Sequence, residues 1–388
     1  MEDVLILAGA RTPIGAFGGS LASVSCANLG AAAIKEAVSR AGIAPDQVDE
    51  VLMGCVLQGG LGQAPARQAA IYAGLPNSVP CTTVNKVCGS GMKAVMQAAQ
   101  AIKLGDANIV VAGGMESMSN APYLLDKART GYRMGNGTLI DMMIHDGLWD
   151  PYNNCHMGNC GDATSAEFSV TREQLDAFAT ESYRRAVDGQ GRLADEIVGV
   201  EIPQRKGDPV VVSIDEEPGK GDASKFPGLR PAFGKEGVTT AANASSLNDG
   251  GCAMILASAS AASGKKALGR VVAYSQHAQE PQWFTTAPAF AIEKLLAKQG
   301  LTVADIDLFE VNEAFSVVAM VVADKVGIPS EKLNVNGGAV ALGHPIGMTG
   351  ARLILTALYE LRRRGGKYAV CTPCIGGGEA TAVLVEAL

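Results

Sequence analysis

The sequence predicts an α/β fold built from two similar halves, and three observations predict it. Short apolar runs of strand length alternate with stretches of helical period along most of the 388 residues. Segments far apart repeat at nearly constant spacing. Cys88-Gly-Ser-Gly91-Met92 matches His344-Pro-Ile-Gly347-Met348 at 344 − 88 = 256, and 33–49, with Gly42 inside it, matches 291–307, with Gly300 inside it, at 300 − 42 = 258. Composition agrees, because 47% hydrophobic residues, only 5% aromatics and 47 glycines suit helices packed closely on sheets. A pseudo-two-fold axis between the halves would bring Cys88 and His344 to one cleft.

The elements follow in order. Residues 4–8 form a short apolar strand that ends in the turn Arg11-Thr12-Pro13. Helical periodicity over 29–41 stops at Gly42, and 50–56 reads as a strand. The run 82–87 is a doubtful strand; 92–104 is a helix closed by Gly105, and 108–112 is a buried strand. Another strand lies at 252–256. The second half repeats the theme with helix 288–299, strand 306–311, helix 348–364 and strands 367–371 and 380–385. Such alternation places helices on both faces of a sheet.

Residues 119–245 break the pattern with proline, glycine and charge clusters and few strands. Their one clear helix is 171–189, with Thr171 as N-cap and Gln174 at the capping-box position. Long insertions at a sheet rim tend to bind ligands. The expected organisation is a first half, 1–268, with core 1–118 and 246–268 around the insertion 119–245, and a second half, 269–388.

The length is ample for a large core, and a net charge of −7 argues against nucleic-acid binding. No apolar run is long enough for a membrane span. Met1-Glu2-Asp3 lacks the character of a secretory or transit leader, and Glu386-Ala387-Leu388 is not a peroxisomal address, so a cytoplasmic protein is expected. Nine cysteines, an odd number, suggest reduced thiols rather than a disulfide framework.

Several residues could carry chemistry. Cys88 precedes a helix, whose positive end favours thiolate. A free thiol of pKa about 8.5 is roughly 3% ionised at pH 7, and lowering the pKa to about 7 ionises half of it. The competing reading is a small buried hydrophobe. His344 lies in a glycine-rich turn before Pro345, a candidate base or a hydrogen-bonded turn residue. Cys374 precedes Gly376, Gly377 and Gly378, whose amides could face an oxyanion; Cys371-x-x-Cys374 is also half of a metal or redox site, without a second pair at the right spacing. Gly89-x-Gly91-x-x-Ala94 imitates a dinucleotide fingerprint, but the strand at 108–112 ends in glycine rather than an acid, so no nicotinamide cofactor is expected. Asn312 and Glu313 end a strand, where α/β proteins place ligands, although Asn312 could equally cap a helix.

Together these residues resemble thiolases over essentially the whole chain. The motifs are Asn85-Lys-Val-Cys88-Gly-Ser-Gly, Ala112-Gly-Gly-Met-Glu116-Ser, His156-Met-Gly, Ala242-Asn-Ala-Ser245-x-Leu-Asn-Asp249-Gly, Asn312-Glu-Ala-Phe, Asn336-Gly-Gly-x-x-x-x-Gly343-His344-Pro and Cys374-x-Gly-Gly-Gly378. The resemblance implies a five-layer αβαβα sandwich in which 119–245 is a loop domain that binds coenzyme A. It implies a reversible thiolytic Claisen reaction with no cofactor and no metal, coenzyme A thioesters being substrates. Cys88 would be the nucleophile that carries the acyl group. His344 would take its proton and later activate the coenzyme A thiol, and Cys374 would move the α-proton. Asn312 would hold a water that forms one oxyanion hole with His344, and the amides of Cys88 and Gly376 would form the other. Such a reaction needs a nucleophile, a second acid–base group and two charge-stabilising sites.

His156-Met157 resembles the short-chain biosynthetic type, which condenses two acetyl-CoA into acetoacetyl-CoA and coenzyme A. The implied pocket and coenzyme contacts are Leu148, His156, Met157, Lys220, Phe233, Ala241, Ser245, Leu247, Phe284, Ala314 and Phe315. Phe284 stands where many acetyl-specific members have methionine and where relatives that accept α-methyl substrates have phenylalanine. Arg205, Lys206 and Lys225 are further candidates for the cation that meets the coenzyme's phosphates. Residues 123–142, with Tyr132, Met134 and Met142, lie where relatives have a tetramerisation loop, so a homotetramer is expected, with a dimer as alternative. Other readings are a broader-range 3-ketoacyl-CoA thiolase of β-oxidation, a decarboxylating ketoacyl synthase and a non-catalytic acyl-CoA or lipid-binding protein. The second thiol, Cys374, argues against the synthase, and the joint presence of Cys88, His344, Cys374 and Asn312 argues against the binding protein.

Overall fold

The structure is a computed structural model that describes residues 2–388. The first half runs β1 (Val4–Arg11), α1 (Cys26–Ala41), β2 (Glu50–Gly54), α2 (Pro65–Tyr72), β3 (Cys81–Val84), α3 (Ser90–Leu104) and β4 (Ile109–Ser117). The insertion contributes α4 (Met157–Glu167) and α5 (Arg172–Leu193), and β5 (Asn248–Ser258) completes the half. The second half runs β6 (Gly269–Ala278), α6 (Ala287–Gln299), β7 (Leu308–Val311), α7 (Ser316–Val326), a single turn α8 (Ala339–Leu342), α9 (Ile346–Arg364), β8 (Tyr368–Thr372) and β9 (Glu379–Ala387).

These nine strands share one sheet in the order β7-β8-β9-β6-β1-β5-β4-β2-β3, and two further short strands join it at its side. The halves join edge to edge where Val4–Ile6 pairs antiparallel with Gly269–Val271. Outward from that seam, β1-β5-β4-β2 on one side mirrors β6-β9-β8-β7 on the other. The parallel pair β4–β2 has its counterpart in β8–β7. The counterpart of β3 is reduced to a single bridge between Phe309 and Leu333. Helices α3 and α9 pack on each other between the half-sheets, α3 against β4 and β2 and α9 against strands of both halves. The α1–α2 pair covers the far face of the first half-sheet, and α6, with α7 against it, covers the second. Five layers result.

The middle layer explains the character of α9. It is buried from Ile346 to Leu358, because both its sides meet sheet or helix, and three of its four arginines gather in the last turn, where cations suit the helix dipole. The predicted helices 92–104 and 348–364 each begin two residues earlier than expected, at Ser90 and Ile346. Cys88 and His344 therefore stand at the same offset before matched helices, 90 − 88 = 346 − 344 = 2.

The doubtful strand at 82–87 is the edge strand β3, four residues long. In the insertion, α5 carries the predicted capping box: the Gln174 amide donates to Thr171 Oγ1 at 3.3 Å, and the Thr171 amide donates to Gln174 Oε1 at 2.8 Å. The insertion is pinned to the core through Arg11, a fully buried guanidinium on β1 that meets Glu196 at 2.6 Å and Asp215 at 2.7 Å. No helix among the described residues is long and apolar enough to cross a membrane.

Candidate active site

The nucleophile candidate is presented by a strained turn. After β3 the chain passes through Val87 at φ 45°, a left-handed conformation that disfavours β-branched residues. Three hydrogen bonds hold it: Val87 N–H to Asn85 Oδ1 at 3.1 Å, Lys86 N–H to Ser90 Oγ at 2.8 Å and Ser90 Oγ–H to the Val87 carbonyl at 2.7 Å. Cys88 follows, and α3 begins at Ser90. A side chain on Gly89 would collide with Ile375, so the Cys374 loop lies directly on this turn.

His344 is held with equal care. Gly343 at φ 100° reverses the chain after α8, and the His344 amide donates to Asn248 Oδ1 at 2.8 Å. Its Nδ1 lies 2.7 Å from Thr349 Oγ1, while the Thr349 hydroxyl donates its one proton to the Pro345 carbonyl at 2.9 Å. Thr349 must therefore accept from Nδ1–H, which leaves the lone pair on Nε2. The Asn312 amide nitrogen lies 3.3 Å from that Nε2. Burial, with the charge of Arg352 in addition, pushes the imidazole down to about 3, so it is an unprotonated base at neutral pH.

Cys374 sits on a two-residue strand, Cys374–Ile375, paired with Ala380 and Glu379 of β9. Its thiol is fully buried and pushed well above the ordinary range by that burial and by neighbouring Cys88. The amides of Gly376 and of Cys88 itself face the Cys88 sulfur. Cys371 instead donates to the Leu353 carbonyl at 3.5 Å on the preceding strand, so the two thiols of that motif do not act as a pair.

Burial pushes Cys88 up to about 11, opposed by the two amides, whereas its place before a helix suggested a lowered value. Cys88 rests as a thiol and needs a base. Without substrate, alkylation of Cys88 by iodoacetamide is therefore expected to accelerate about tenfold per pH unit from about pH 7 to 10, because the thiolate fraction grows by that factor below the pKa. Acetyl-CoA is expected to protect. A rate already on its plateau near neutrality, read by peptide mapping, contradicts this.

Cys88, His344 and Gly376 open into one cavity of about 320 Å³. Leu148, His156, Met157, Phe233, Ala241, Ser245, Leu247, Phe284, Ala314 and Phe315 line it too. Cys374 and Asn312 are fully buried behind its wall. His156 stacks on Phe233 with centroids 4.5 Å apart, Phe233 meets Phe315 edge-on at 6.1 Å, and Phe315 meets Phe284 at 6.5 Å. His156 Nδ1 accepts from the Gly158 amide at 3.1 Å, and burial lowers its pKa, so a neutral Nε2–H ring faces the cavity. The space suits a long, mostly apolar ligand with an electrophilic carbonyl at Cys88.

Lys220 is not brought there. It lies outside the cavity lining and pairs with Glu216, four residues earlier, at 2.8 Å. Arg205, Lys206 and Lys225 do not line the cavity either, and Lys225 pairs with Asp222 at 2.9 Å. Met142, expected to belong to the tetramerisation loop, packs inside with Val56, Leu57 and Ile346. The rest of that loop projects outward from the ladder Tyr123–Leu124 with Ile140–Asp141, and Leu125, Met134 and Leu139 are exposed.

Sequence reading missed Met143, Gly147 and Ile346 in the lining and the supporting roles of Thr349 and Asn248. The available signal was spacing: Ile346 and Thr349 fall two and five residues after His344, on the first turn of α9.

Residues 4–260 match the family model "Thiolase, N-terminal domain" and 265–387 match "Thiolase, C-terminal domain". Acetyl-CoA acetyltransferase 2 of Arabidopsis thaliana is 52% identical over 100% of this chain and 98% of its own. An acetyl-CoA acetyltransferase of Cupriavidus necator is 50% identical over the whole of both chains. A crystal structure of a thiolase from Ascaris suum in complex with coenzyme A superposes with a TM-score of 0.95 at 42% identity, covering 100% of both chains.

Proposed function

The chain belongs to the thiolase family, and from that premise we propose that it joins two acetyl-CoA into acetoacetyl-CoA and coenzyme A, reversibly, through an acetyl group carried on Cys88. The observation that carries this reading is the single cavity at which Cys88 and His344, from matched helix starts of the two halves, meet Gly376, with Cys374 behind the wall.

In the cleavage direction the residues divide the work as follows. His344 Nε2 takes the Cys88 proton as the sulfur attacks the 3-keto carbon. The oxygen that gains charge is faced by the amides of Cys88 and Gly376, the same groups that face the sulfur at rest. The bond between C2 and C3 breaks, and the departing enolate of acetyl-CoA takes the proton of Cys374. A thiol with a raised pKa suits this step, since it keeps its proton until a strong base forms beside it. The proton on His344 restores Cys374. Coenzyme A then attacks acetyl-Cys88, giving its proton to His344 and from there to the released sulfur. Condensation is the reverse.

The protein is cytoplasmic and homotetrameric in this reading, and the exposed Leu125, Met134 and Leu139 on the projecting loop are what support assembly. Aromatic side chains of Phe233, Phe284 and Phe315 narrow the cavity, which favours short acyl groups. Thiolysis of acetoacetyl-CoA, its 2-methyl derivative and a ten-carbon 3-ketoacyl-CoA tests the assignment. The four-carbon substrate is expected to lead the ten-carbon one by at least about tenfold in kcat/KM. Equal or faster turnover of the ten-carbon substrate removes the short-chain reading.

A further inference from the structure

Glu116 ends β4 with its side chain fully buried, and no lysine or arginine pairs with it among the described residues. Its carboxylate is instead surrounded by backbone donors. Oε2 accepts from the Val56 amide at 3.0 Å and from the Gly347 amide at 2.9 Å, and Oε1 accepts from the Leu57 amide at 3.1 Å. The first and third donors belong to the segment after β2 in the first half; the second is in the first turn of α9 in the second half. A carboxylate at a helix start also suits the dipole.

The surroundings leave this contact little freedom. A Cβ on Gly347 would lie 2.7 Å from Glu116 Oε2. Added Cβ atoms on Gly54 and Gly91 would lie 2.8 and 2.9 Å from the Gly347 carbonyl oxygen, and one on Gly114 would overlap it. Four glycines, from β2, α3, β4 and α9, thus converge where the helix after Cys88 crosses the helix after His344. Glu116 is tied into that crossing by its bond from the Gly347 amide. Burial pushes its carboxyl up to about 7, while the three amides favour the ionised form.

We infer that Glu116 is a positioning residue for the acyl-transfer reaction: by holding Gly347 against Val56 and Leu57, it fixes His344 relative to Cys88 across the interface of the two halves. The inference rests on the acyl-transfer reading above. Glu116 does not line the cavity; it acts through the helix starts, and its charge adds to the rise of the nearby Cys88 thiol.

Glu116→Gln tests it. A carboxamide has one oxygen, and its NH₂ would confront a backbone N–H, so at least one of the three amides loses its acceptor. Thiolysis kcat is expected to fall about 10- to 100-fold, the effect of a small misplacement of reacting groups. KM for coenzyme A is expected to stay within about twofold, because the cavity walls that bind it are untouched. Alkylation of Cys88 at fixed pH should not slow, since that reaction does not need His344 aligned on a thioester and loss of the Glu116 charge only eases ionisation of the thiol. A folded Glu116→Gln protein with kcat within about twofold of wild type overturns the inference. If that variant does not fold, Glu116→Asp decides: its retained charge on a shorter arm should preserve the fold and still lower kcat at least about fivefold, and wild-type kcat overturns the inference. Wild-type protein in the same assay separates the two claims, since its inactivity would defeat the acyl-transfer reading itself.

Discussion

The Cys88→Ala protein is expected to cleave acetoacetyl-CoA about 10⁴-fold more slowly than wild type, or worse, while binding it with nearly ordinary affinity. The loss is large because no other thiol can take over. Cys374 is fully buried and its pKa is pushed well above the ordinary range, so it keeps its proton and does not replace Cys88 as the nucleophile. Affinity survives because the ligand is held by the walls around His156, Phe233 and Phe315, which do not depend on the sulfur. Alanine is also smaller than cysteine at a site bounded by the cavity, so the turn held by Asn85 and Ser90 stays in place. Steady-state kinetics with equilibrium binding of coenzyme A separates the two effects. Activity within about tenfold of wild type would remove Cys88 from the reaction.

Cys374→Ala is expected to lower cleavage and condensation about 10³-fold and yet leave the acyl-exchange half-reaction largely intact. Exchange of labelled coenzyme A into acetyl-CoA needs only Cys88 and His344, because no bond to the α-carbon breaks. Cleavage needs a proton at that carbon, and the buried Cys374 thiol beside Cys88 keeps its proton at neutral pH. The split between the two assays identifies the role. Equal losses in both would mean that residue 374 supports the nucleophile rather than moving the α-proton.

The halves and their pairing were legible in the sequence because glycine marks helix ends and close approaches in both copies. Gly42 and Gly300 close α1 and α6 in the left-handed conformation, and Gly105 and Gly365 close α3 and α9. Helix α5 was legible through its capping box. Five elements were not, α2 and the single turn α8 among them. β6 alternates buried residues with Arg270, Val272, Tyr274 and Gln276, so its apolar run is too interrupted to read alone. Helix α7 is rich in valine, which favours strands, and is helical because α6 and the second half-sheet bury it. Helix α4 is built of small polar residues, with an N-terminus made by the His156 side chain rather than by a usual cap.

At the site, residue identities were legible and electrostatics were not. A cysteine before a helix signals a dipole, but only the fold reveals the burial that outweighs it at Cys88. Lys220 looked available for a phosphate, yet Glu216 in the preceding bend pairs with it, a contact that only the local backbone path reveals. Glu116 appeared only inside a motif; its three backbone donors come from segments 60 and 231 residues away.

The most direct test is to mix the protein with acetyl-CoA alone, quench in acid and map the peptides by mass. One acetyl group is expected on Cys88 and on no other cysteine, released again by added coenzyme A. An unmodified Cys88, or an acetyl group that coenzyme A cannot remove, would contradict acyl transfer through that sulfur.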